Sequence, residues 1–240
     1  MPRRARLVPP NVPLHLIQRG NNRQVCFLAD QDCRFYLDWL GRASREAGVD
    51  IHAWVLMTNH VHLLISAESP GASGRLMKAL GQRYVQYFNR TYQRSGTLWE
   101  GRFRSCPTEA ENYLLACQRY IELNPVRANM VSHPAEYRWS SFRANALGES
   151  DPLVTPHPLY RALGRDDAER LAAYRELFRH ELDPGVIDQI RSATNSNFVL
   201  GGSRFADQIA AQLGVRTQRG KGGRPKKAPP PDNLDLPGMD

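Results

Sequence analysis

Residues 49–66, VDIHAWVLMTNHVHLLIS, constrain the fold most strongly, because they are rich in residues that favour β-strands. Thr58 and Asn59 interrupt this apolar run with two polar residues that are typical of turns. The pattern predicts two strands joined by a tight turn, which pair as an antiparallel hairpin. The fold must therefore contain a sheet built around that hairpin.

Further apolar and amphipathic segments surround the predicted hairpin. A strand is expected in LHLIQ at 14–18, a helix over 32–47 and a second amphipathic helix over 73–91. The basic, glycine-punctuated segment at 96–108 should hold another strand, and a third helix should run from there to Asn124. The order strand, helix, hairpin, helix, strand, helix predicts an α+β fold, a ferredoxin-like or RRM-like antiparallel sheet with helices packed on it.

The character of the chain changes after this first part. Residues 1–145 are predicted to form the main domain, and 146–215 a helical C-terminal extension that ends in the amphipathic GSRFADQIAAQLGV. Residues 216–240 contain RTQRGKGGRPKKAPPPDN, which is too rich in charge, Gly and Pro to pack. We therefore expect a basic tail that is disordered in isolation.

The net charge narrows the class of partner. The formal charge is +8 and the pI is about 9.6, so a polyanion is the natural partner. Nucleic acid is favoured over an acidic membrane surface. No run approaches the roughly 18 apolar residues that cross a bilayer, and MPRRARLVPP lacks a signal-peptide core, so a cytoplasmic protein is expected. Its four scattered cysteines form no C-x-x-C pair and should be reduced and mostly buried.

Two histidines in the second hairpin strand suggest a metal site. His60 and His62 flank Val61, and the two-residue period of a strand places both imidazoles on one face of the sheet. Two such nitrogens form half of a metal site. The alternative is that H-x-H occurs by chance, because strand histidines often have no role.

A second candidate pair lies in YIELNPVR. Tyr120 and Asn124 are four residues apart, so a helix would present the phenol and the amide on the same face. A phenol can act as a nucleophile, and an amide oxygen can bind a hard cation. Alternatively, Tyr120 is a core residue on a stripe with Tyr113 and Cys117, and Asn124 before Pro125 is a helix N-cap.

Taken together, several motifs resemble the single-tyrosine HUH transposases (the IS200-like family), particularly the branch associated with repetitive extragenic palindromes (REP). They come in order and span most of the chain. The motifs are RGNNRQ-CF (19–27), W-VLMTNHVHLL (54–64), G-LWEGRFRS (96–105), RYIELNPVRA-MV (119–131), P-EYRWSS (134–141) and GRPKK (223–227).

The resemblance implies a role for each candidate residue. His60 and His62 match the metal-binding histidines, and Tyr120 matches the nucleophile. Asn124 matches the helix position that completes the metal site, where the insertion-sequence branch usually has glutamine. The implied activity is metal-dependent cleavage and transfer of one strand of hairpin or palindromic DNA through a 5′-phosphotyrosine, with Mg²⁺ or Mn²⁺ as cofactor.

The resemblance also bears on partners. Single-stranded or hairpin DNA with REP-like palindromes is the expected partner, in the bacterial nucleoid and without a membrane. Insertion-sequence relatives dimerise and exchange tyrosines, whereas the palindrome-associated branch works as a monomer, so a monomer is favoured over a dimer. The alternative function is a catalytically silent, sequence-specific DNA-binding protein or regulator with the same fold.

DNA recognition should depend on cations, amides and one stacking surface. Scattered arginines are more often a solvated surface, so each is a separate hypothesis. The predicted contacts in the main domain are Arg19, Asn21, Asn22, Arg23, Arg102, Arg104, Arg127, Arg138 and Trp139, and those in the tail are Arg216, Arg219, Lys221, Arg224, Lys226 and Lys227.

Overall fold

A four-stranded antiparallel sheet organises residues 6–218, which are the residues that the computed structural model describes. The strands are β1 (Leu14–Arg19), β2 (Val49–Met57), β3 (His60–Ala67) and β4 (Arg104–Pro107), in the order β2-β3-β1-β4. This topology, with a helix after β1 and another after β3, is the predicted ferredoxin-like α+β arrangement.

The predicted hairpin is confirmed as β2 and β3. Met57 pairs with His60 across the two-residue turn, so the polar pair Thr58-Asn59 connects the strands as expected. Strand β3 also pairs antiparallel with β1, with Arg19 opposite His60 and Ile17 opposite His62. The H-x-H motif therefore lies on a central strand, which holds both histidines rigidly.

One face of the sheet is covered by the two long helices, α1 (Asp30–Ala47) and α2 (Ala72–Thr91). Helix α1 ends at Gly48, whose φ of 66° is readily adopted only by glycine. The alternate residues Val61, Leu63 and Ile65 of β3 belong to the core cluster that these helices complete. Apolar burial on this face thus orients the histidines towards the other one.

The opposite face is covered by α3 (Ala110–Glu122) and α8 (Pro184–Ser196). Their buried side chains form a second core cluster with Leu64 and Cys106 of the sheet and with Tyr120. Helix α3 ends at Glu122, and the short helix α4 (Asn124–Arg127) follows directly. The third helix was predicted to run to Asn124. The chain is helical on both sides of Leu123, but α3 ends before this residue and α4 starts after it.

The remaining helices are four to eleven residues long. They are α5 (Phe142–Leu147), α6 (Pro158–Arg161), α7 (Asp167–Glu176) and the final amphipathic α9 (Ser203–Leu213). Helices α5, α6 and α7 supply Phe142, Tyr160 and Tyr174 to a third, smaller core cluster. The four cysteines are free and buried. Within residues 6–218, no helix is both long and apolar enough to cross a membrane.

Candidate active site

The residues singled out in the two motifs meet in one cavity of about 240 Å³ on the α3 and α8 face of the sheet. Strand β3 contributes His60 and His62, and the end of α3 with the start of α4 contributes Tyr120 and Asn124. The other lining residues come from β1 and α8, and they are His15, Ile17, Arg19, Arg191, Thr194 and Asn195.

Hydrogen bonding determines which nitrogen of His60 faces the cavity. Its Nδ1 lies 2.7 Å from Oδ1 of Asn59, and Nδ2 of Asn59 donates to the carbonyl of Arg23 at 3.2 Å. Because the Asn59 oxygen can only accept, His60 must carry its proton on Nδ1. Nε2 of His60 then keeps a lone pair, as a metal ligand requires.

His62 is oriented by a longer chain of hydrogen bonds. Oγ1 of Thr194 donates its only hydrogen to the carbonyl of Ile190 at 2.8 Å, so it must accept from Nδ1 of His15 at 2.9 Å. Nε2 of His15 then accepts from Nδ1 of His62 at 2.8 Å. His62 is thereby left with its lone pair on Nε2, and its ring centroid lies 5.0 Å from that of His60.

Burial keeps these imidazoles neutral. It lowers the pKa of His60 to about 4, with a further contribution from the charge of Arg19. Burial also lowers the pKa of His62 well below its ordinary value, and neighbouring His15 and His60 add to the effect. The pKa of His15 falls to about 3, because of burial and of Arg127. Neutral imidazole is the form that binds metals.

Tyr120 reaches the same cavity from α3, although it is only 6% exposed and belongs to the second core cluster. Its ring centroid lies 5.8 Å from that of His62. The guanidinium of Arg127 lies over the Tyr120 ring, with Cζ 4.1 Å from the centroid, and Nη2 donates to the Tyr120 carbonyl at 2.6 Å. Tyr120 is thus both a core residue and a residue that lines the cavity.

Asn124 is the remaining member of the predicted metal site. Its Nδ2 donates weakly to the Tyr120 carbonyl at 3.5 Å, which leaves Oδ1 as the atom available to a cation. Within residues 6–218, no group of three or more His, Cys, Asp or Glu side chains is arranged to hold a metal. A cation here would accordingly combine the two imidazoles with oxygen ligands such as this amide, a set that suits Mg²⁺ or Mn²⁺.

Several predicted DNA contacts lie near this cavity. Arg19 lines it, and Nη1 of Arg104 donates at 3.0 Å to Asn195, which also lines it. Asn21 and Arg102 line a neighbouring cavity of about 470 Å³ that also includes Arg104. Asn22 and Arg23 belong to a single 3-10 turn, Asn21–Arg23, in which both have positive φ values.

Other predicted contacts are engaged within the protein or lie elsewhere. Arg138 pairs with Asp30 at 2.9 Å, and its Cζ lies 4.4 Å from the ring centroid of Trp139. Neither residue lines the cavity, and Arg127 is engaged by Tyr120. Arg216 is exposed. The predicted contacts Arg219, Lys221, Arg224, Lys226 and Lys227 lie outside the described residues.

Sequence reasoning missed part of the site. His15 alternates with Ile17 and Arg19 on one face of β1, and a histidine within the apolar run LHLIQ was a detectable signal. Thr194 and Arg191 gave no signal, because they lie about seventy residues beyond Tyr120 on a helix with no motif. Only the packing of α8 against β1 and β4 brings them to the histidines.

Comparison with known proteins identifies the family. Among solved structures, the chain is similar to a REP-associated tyrosine transposase bound to a REP hairpin, with 17% identity and a TM-score of 0.49 over 65% of this chain and 93% of that one. It is also similar to a Deinococcus radiodurans R1 protein described as a transposase, with 24% identity and a TM-score of 0.36 over 50% of this chain and 95% of that one. No curated protein sequence matches significantly. A family model described as IS200-like transposase matches residues 10–124, so this part of the chain is an IS200-like transposase domain.

Proposed function

We propose that this protein is a metal-dependent endonuclease and strand transferase for single-stranded DNA, acting on hairpin or palindromic sequences through a 5′-phosphotyrosine. One observation carries the proposal: Tyr120, His60, His62 and Asn124 line a single cavity of about 240 Å³. The family match, which covers residues 10–124, supports a DNA-processing enzyme.

The reaction proposed for Tyr120 is an in-line displacement at phosphorus. Oη of Tyr120 forms a bond to phosphorus and gives its proton to water, while the bond from phosphorus to the 3′ oxygen breaks and that oxygen takes up a proton. Attack of a 3′-hydroxyl on the phosphotyrosine reverses these steps and rejoins a strand. No external energy source is needed, because each step exchanges one phosphodiester for another.

The residues around Tyr120 have electrostatic and positioning roles in this proposal. The Arg127 guanidinium orients the ring and lies where negative charge on a phenolate would be stabilised. Arg19 and Arg191 give the cavity positive charge, and no carboxylate lines it, so a phosphodiester is attracted.

The donor set fits a divalent cation, Mg²⁺ or Mn²⁺, held by His60, His62 and Asn124. Bound there, it would polarise a phosphate oxygen and offset the charge that develops on phosphorus. The chain's own contribution is to keep both imidazoles neutral and to direct their Nε2 lone pairs away from protein hydrogen bonds. DNA is the proposed partner, and a monomer is the proposed state, because Tyr120 enters the cavity formed by the histidines of its own chain.

The test is covalent capture of DNA. Wild-type protein is incubated with hairpin oligonucleotides that carry single-stranded flanks, with Mn²⁺ or with a chelator, and the products are run on a denaturing gel. We expect a protein–DNA adduct that requires the metal and disappears in Tyr120→Phe, which lacks the attacking oxygen but keeps the ring. DNA affinity of Tyr120→Phe should stay within about twofold of wild type, since under 0.5 kcal/mol of contact is lost.

Tyr113→Phe is the matched control, because Tyr113 lies on the same helix and its hydroxyl donates to Gln189 outside the catalytic cavity. It should form the adduct like wild type. An adduct that persisted in Tyr120→Phe would refute the assignment of the nucleophile. DNA binding without any adduct from wild-type protein would favour the catalytically silent alternative.

A further inference from the structure

A second cavity, of about 360 Å³, lies beside α2 on the face of the sheet opposite His60 and His62. Trp99, Phe103 and Met77 form apolar parts of its wall. Gln18 of β1 also lines it, and this residue alternates along the strand with Ile17 and Arg19 of the catalytic cavity. The two cavities therefore lie on opposite faces of the sheet.

The shape of this cavity depends on two glycines of α2. Gly74 and Gly81 both line it, although glycine in a helix interior is destabilising relative to residues with side chains. A Cβ on Gly74 would meet no atom within 4 Å, and one on Gly81 would meet only Nε1 of Trp99, at 4.0 Å. Neither glycine is required by close packing or by a positive φ, so each leaves open space in the cavity, and the space at Gly81 lies next to Trp99.

Trp99 presents an unused hydrogen-bond donor at this space. Its side chain is 8% exposed and packs against Tyr84, with ring centroids 5.8 Å apart. Its Nε1 is buried and has no hydrogen-bond partner. Buried indole N–H groups usually find a partner, so an unpaired one beside a cavity points to an acceptor on a ligand.

The rim of the cavity is cationic. Arg6 lies over Phe103, with Cζ 3.7 Å from the ring centroid, and its Nε donates to the Phe103 carbonyl at 3.2 Å. Lys78 and Arg102 also line the cavity, and no Asp or Glu does. Arg6 and Arg102 line the same cavity, and burial, with a smaller contribution from the charge of Arg102, lowers the pKa of Arg6. Such a pair is suited to an anion.

Shared residues connect this cavity to the candidate active site. Arg19 and Asn195 line both the catalytic cavity and a small cavity next to it. Arg102 and Arg104 line both this small cavity and the cavity of about 470 Å³ at the β4 edge. That cavity in turn shares Arg6, Arg102 and Phe103 with the Trp99 cavity. These adjoining cavities form a path from Tyr120 around the edge of the sheet, which is lined by arginines and by one carboxylate, Glu100, that pairs with Arg104 at 4.0 Å.

We propose that the Trp99 cavity binds one unpaired base of the single-stranded DNA that this path carries, with the flanking phosphates on Arg6 and Arg102. The proposal rests on the proposed function for the identity of the strand. A base suits the site because it combines a flat apolar ring with acceptors for the Trp99 N–H, and because its phosphates match the cationic rim. The volume also lies within the usual range for small-molecule sites.

The experiment separates base binding from phosphate binding. Affinity is measured, in a chelator so that no cleavage occurs, for an oligothymidylate and for an oligomer of the same length made of abasic deoxyribose phosphates. Wild-type protein should prefer the strand with bases by about tenfold, the size expected for one buried base. Gly81→Leu fills the cavity with a side chain from α2. It should bind oligothymidylate more weakly than wild type and the abasic strand with unchanged affinity, so the preference for bases should disappear.

The control is Gln82→Leu, which introduces the same side chain at an exposed position of the same helix. It should keep the wild-type preference. Gly74→Leu provides a second filling variant, should Gly81→Leu fail to fold, since open space surrounds its Cβ position. A tenfold preference that survived in a folded filling variant would overturn the proposal, as would equal wild-type affinity for both strands. Adduct formation by Tyr120 is assayed separately, so failure of the catalytic proposal would be recognised independently.

Discussion

At the scale of single residues, the most informative feature is the chain from Thr194 through His15 to His62. The Thr194 hydroxyl accepts from one nitrogen of His15, so the other nitrogen of His15 must accept from Nδ1 of His62. The tautomer of this strand histidine is therefore set by a hydroxyl on α8. His15 and Thr194 are therefore positioning residues for the proposed metal ligand His62.

Replacing Thr194 tests this chain. Thr194→Val keeps the shape but removes the acceptor for His15, so His62 is no longer held with a free Nε2. We expect Mn²⁺ affinity, measured by calorimetric titration, to weaken about 10- to 100-fold with little change in thermal stability. Thr194→Ser, which keeps the hydroxyl, should restore the affinity. Wild-type Mn²⁺ binding by a folded Thr194→Val protein would contradict the positioning role.

Glu122, beside the catalytic motif, connects the main domain to the helices that follow it. Its buried carboxylate accepts hydrogen bonds from Ser141, Asn145 and Tyr174. Burial raises its pKa from an ordinary 4.5 to about 7, against the opposing effect of these donors. The folded protein therefore holds this proton more tightly than the unfolded chain, and stability from this group falls as pH rises from about 4.5 through 7.

Glu122→Gln should remove that dependence. The amide can accept from Ser141 and Asn145 and donate to the Tyr174 oxygen, so the fold should be kept. Urea titration measures the free energy of unfolding of wild type and of the variant at each pH. The value for wild type minus the value for the variant should decrease by on the order of 3 kcal/mol from pH 4.5 to pH 7. A difference that stayed constant across this range would show that Glu122 has no raised pKa.

At the scale of elements, α8 is the piece that completes the site. Asn195 at its end accepts from Arg104, and Oδ1 of Asn197 accepts from the main-chain N–H of Ser105 at 3.0 Å. Asn197 also ends the helix with a φ of 54°, a conformation that asparagine tolerates better than alanine. Together with the bond between Arg104 and Asn195, Asn197 holds the end of α8 against the edge strand β4, close to Thr194.

Two substitutions separate the roles of Asn197. Asn197→Gly keeps the backbone conformation but removes the acceptor, and should destabilise the protein by about 1 kcal/mol. Asn197→Ala should cost roughly 1 kcal/mol more, because of the left-handed backbone. Urea unfolding measures both. Equal stability of the two variants would mean that the backbone conformation contributes nothing.

At the scale of the whole molecule, the candidate site is complete within one chain. Residues from β1, β3, α3, α4 and α8 meet in one cavity of the chain. Tyr120 and its expected metal ligands are therefore arranged in cis, unlike the exchanged tyrosines expected of a dimeric relative.

Mixing two inactive variants tests the cis arrangement. Tyr120→Phe retains the histidines, and His60→Ala retains the tyrosine, so an exchanging dimer would rebuild one intact site from the pair. We expect the mixture to form no more DNA adduct on a denaturing gel than either variant alone. Adduct formation that increased with protein concentration would instead establish exchange between subunits.

Local patterns in the sequence were sufficient for much of this protein. The β-rich segment broken at Thr58-Asn59 predicted the hairpin, and the amphipathic segment over 32–47 predicted α1 with its end at Ala47, because turns and helix ends depend on nearby residues. Strand alternation also predicted that His60 and His62 share a face. The proximity of Tyr120 and Asn124 followed from helical spacing, although α3 ends at Glu122 and a new helix starts at Asn124.

Tertiary structure alone decided what surrounds those residues. No short-range pattern relates His15 to Thr194, which are 179 residues apart, or predicts that Arg127 lies over the Tyr120 ring. The Trp99 cavity likewise exists only because α2 and the segment before β4 pack together with two glycines between them. The protonation of the histidines, the orientation of their rings and the shape of the cavities depend on contacts between distant segments. Those contacts form because apolar faces are buried, and the hydrophobic effect brings such faces together at any separation in the sequence.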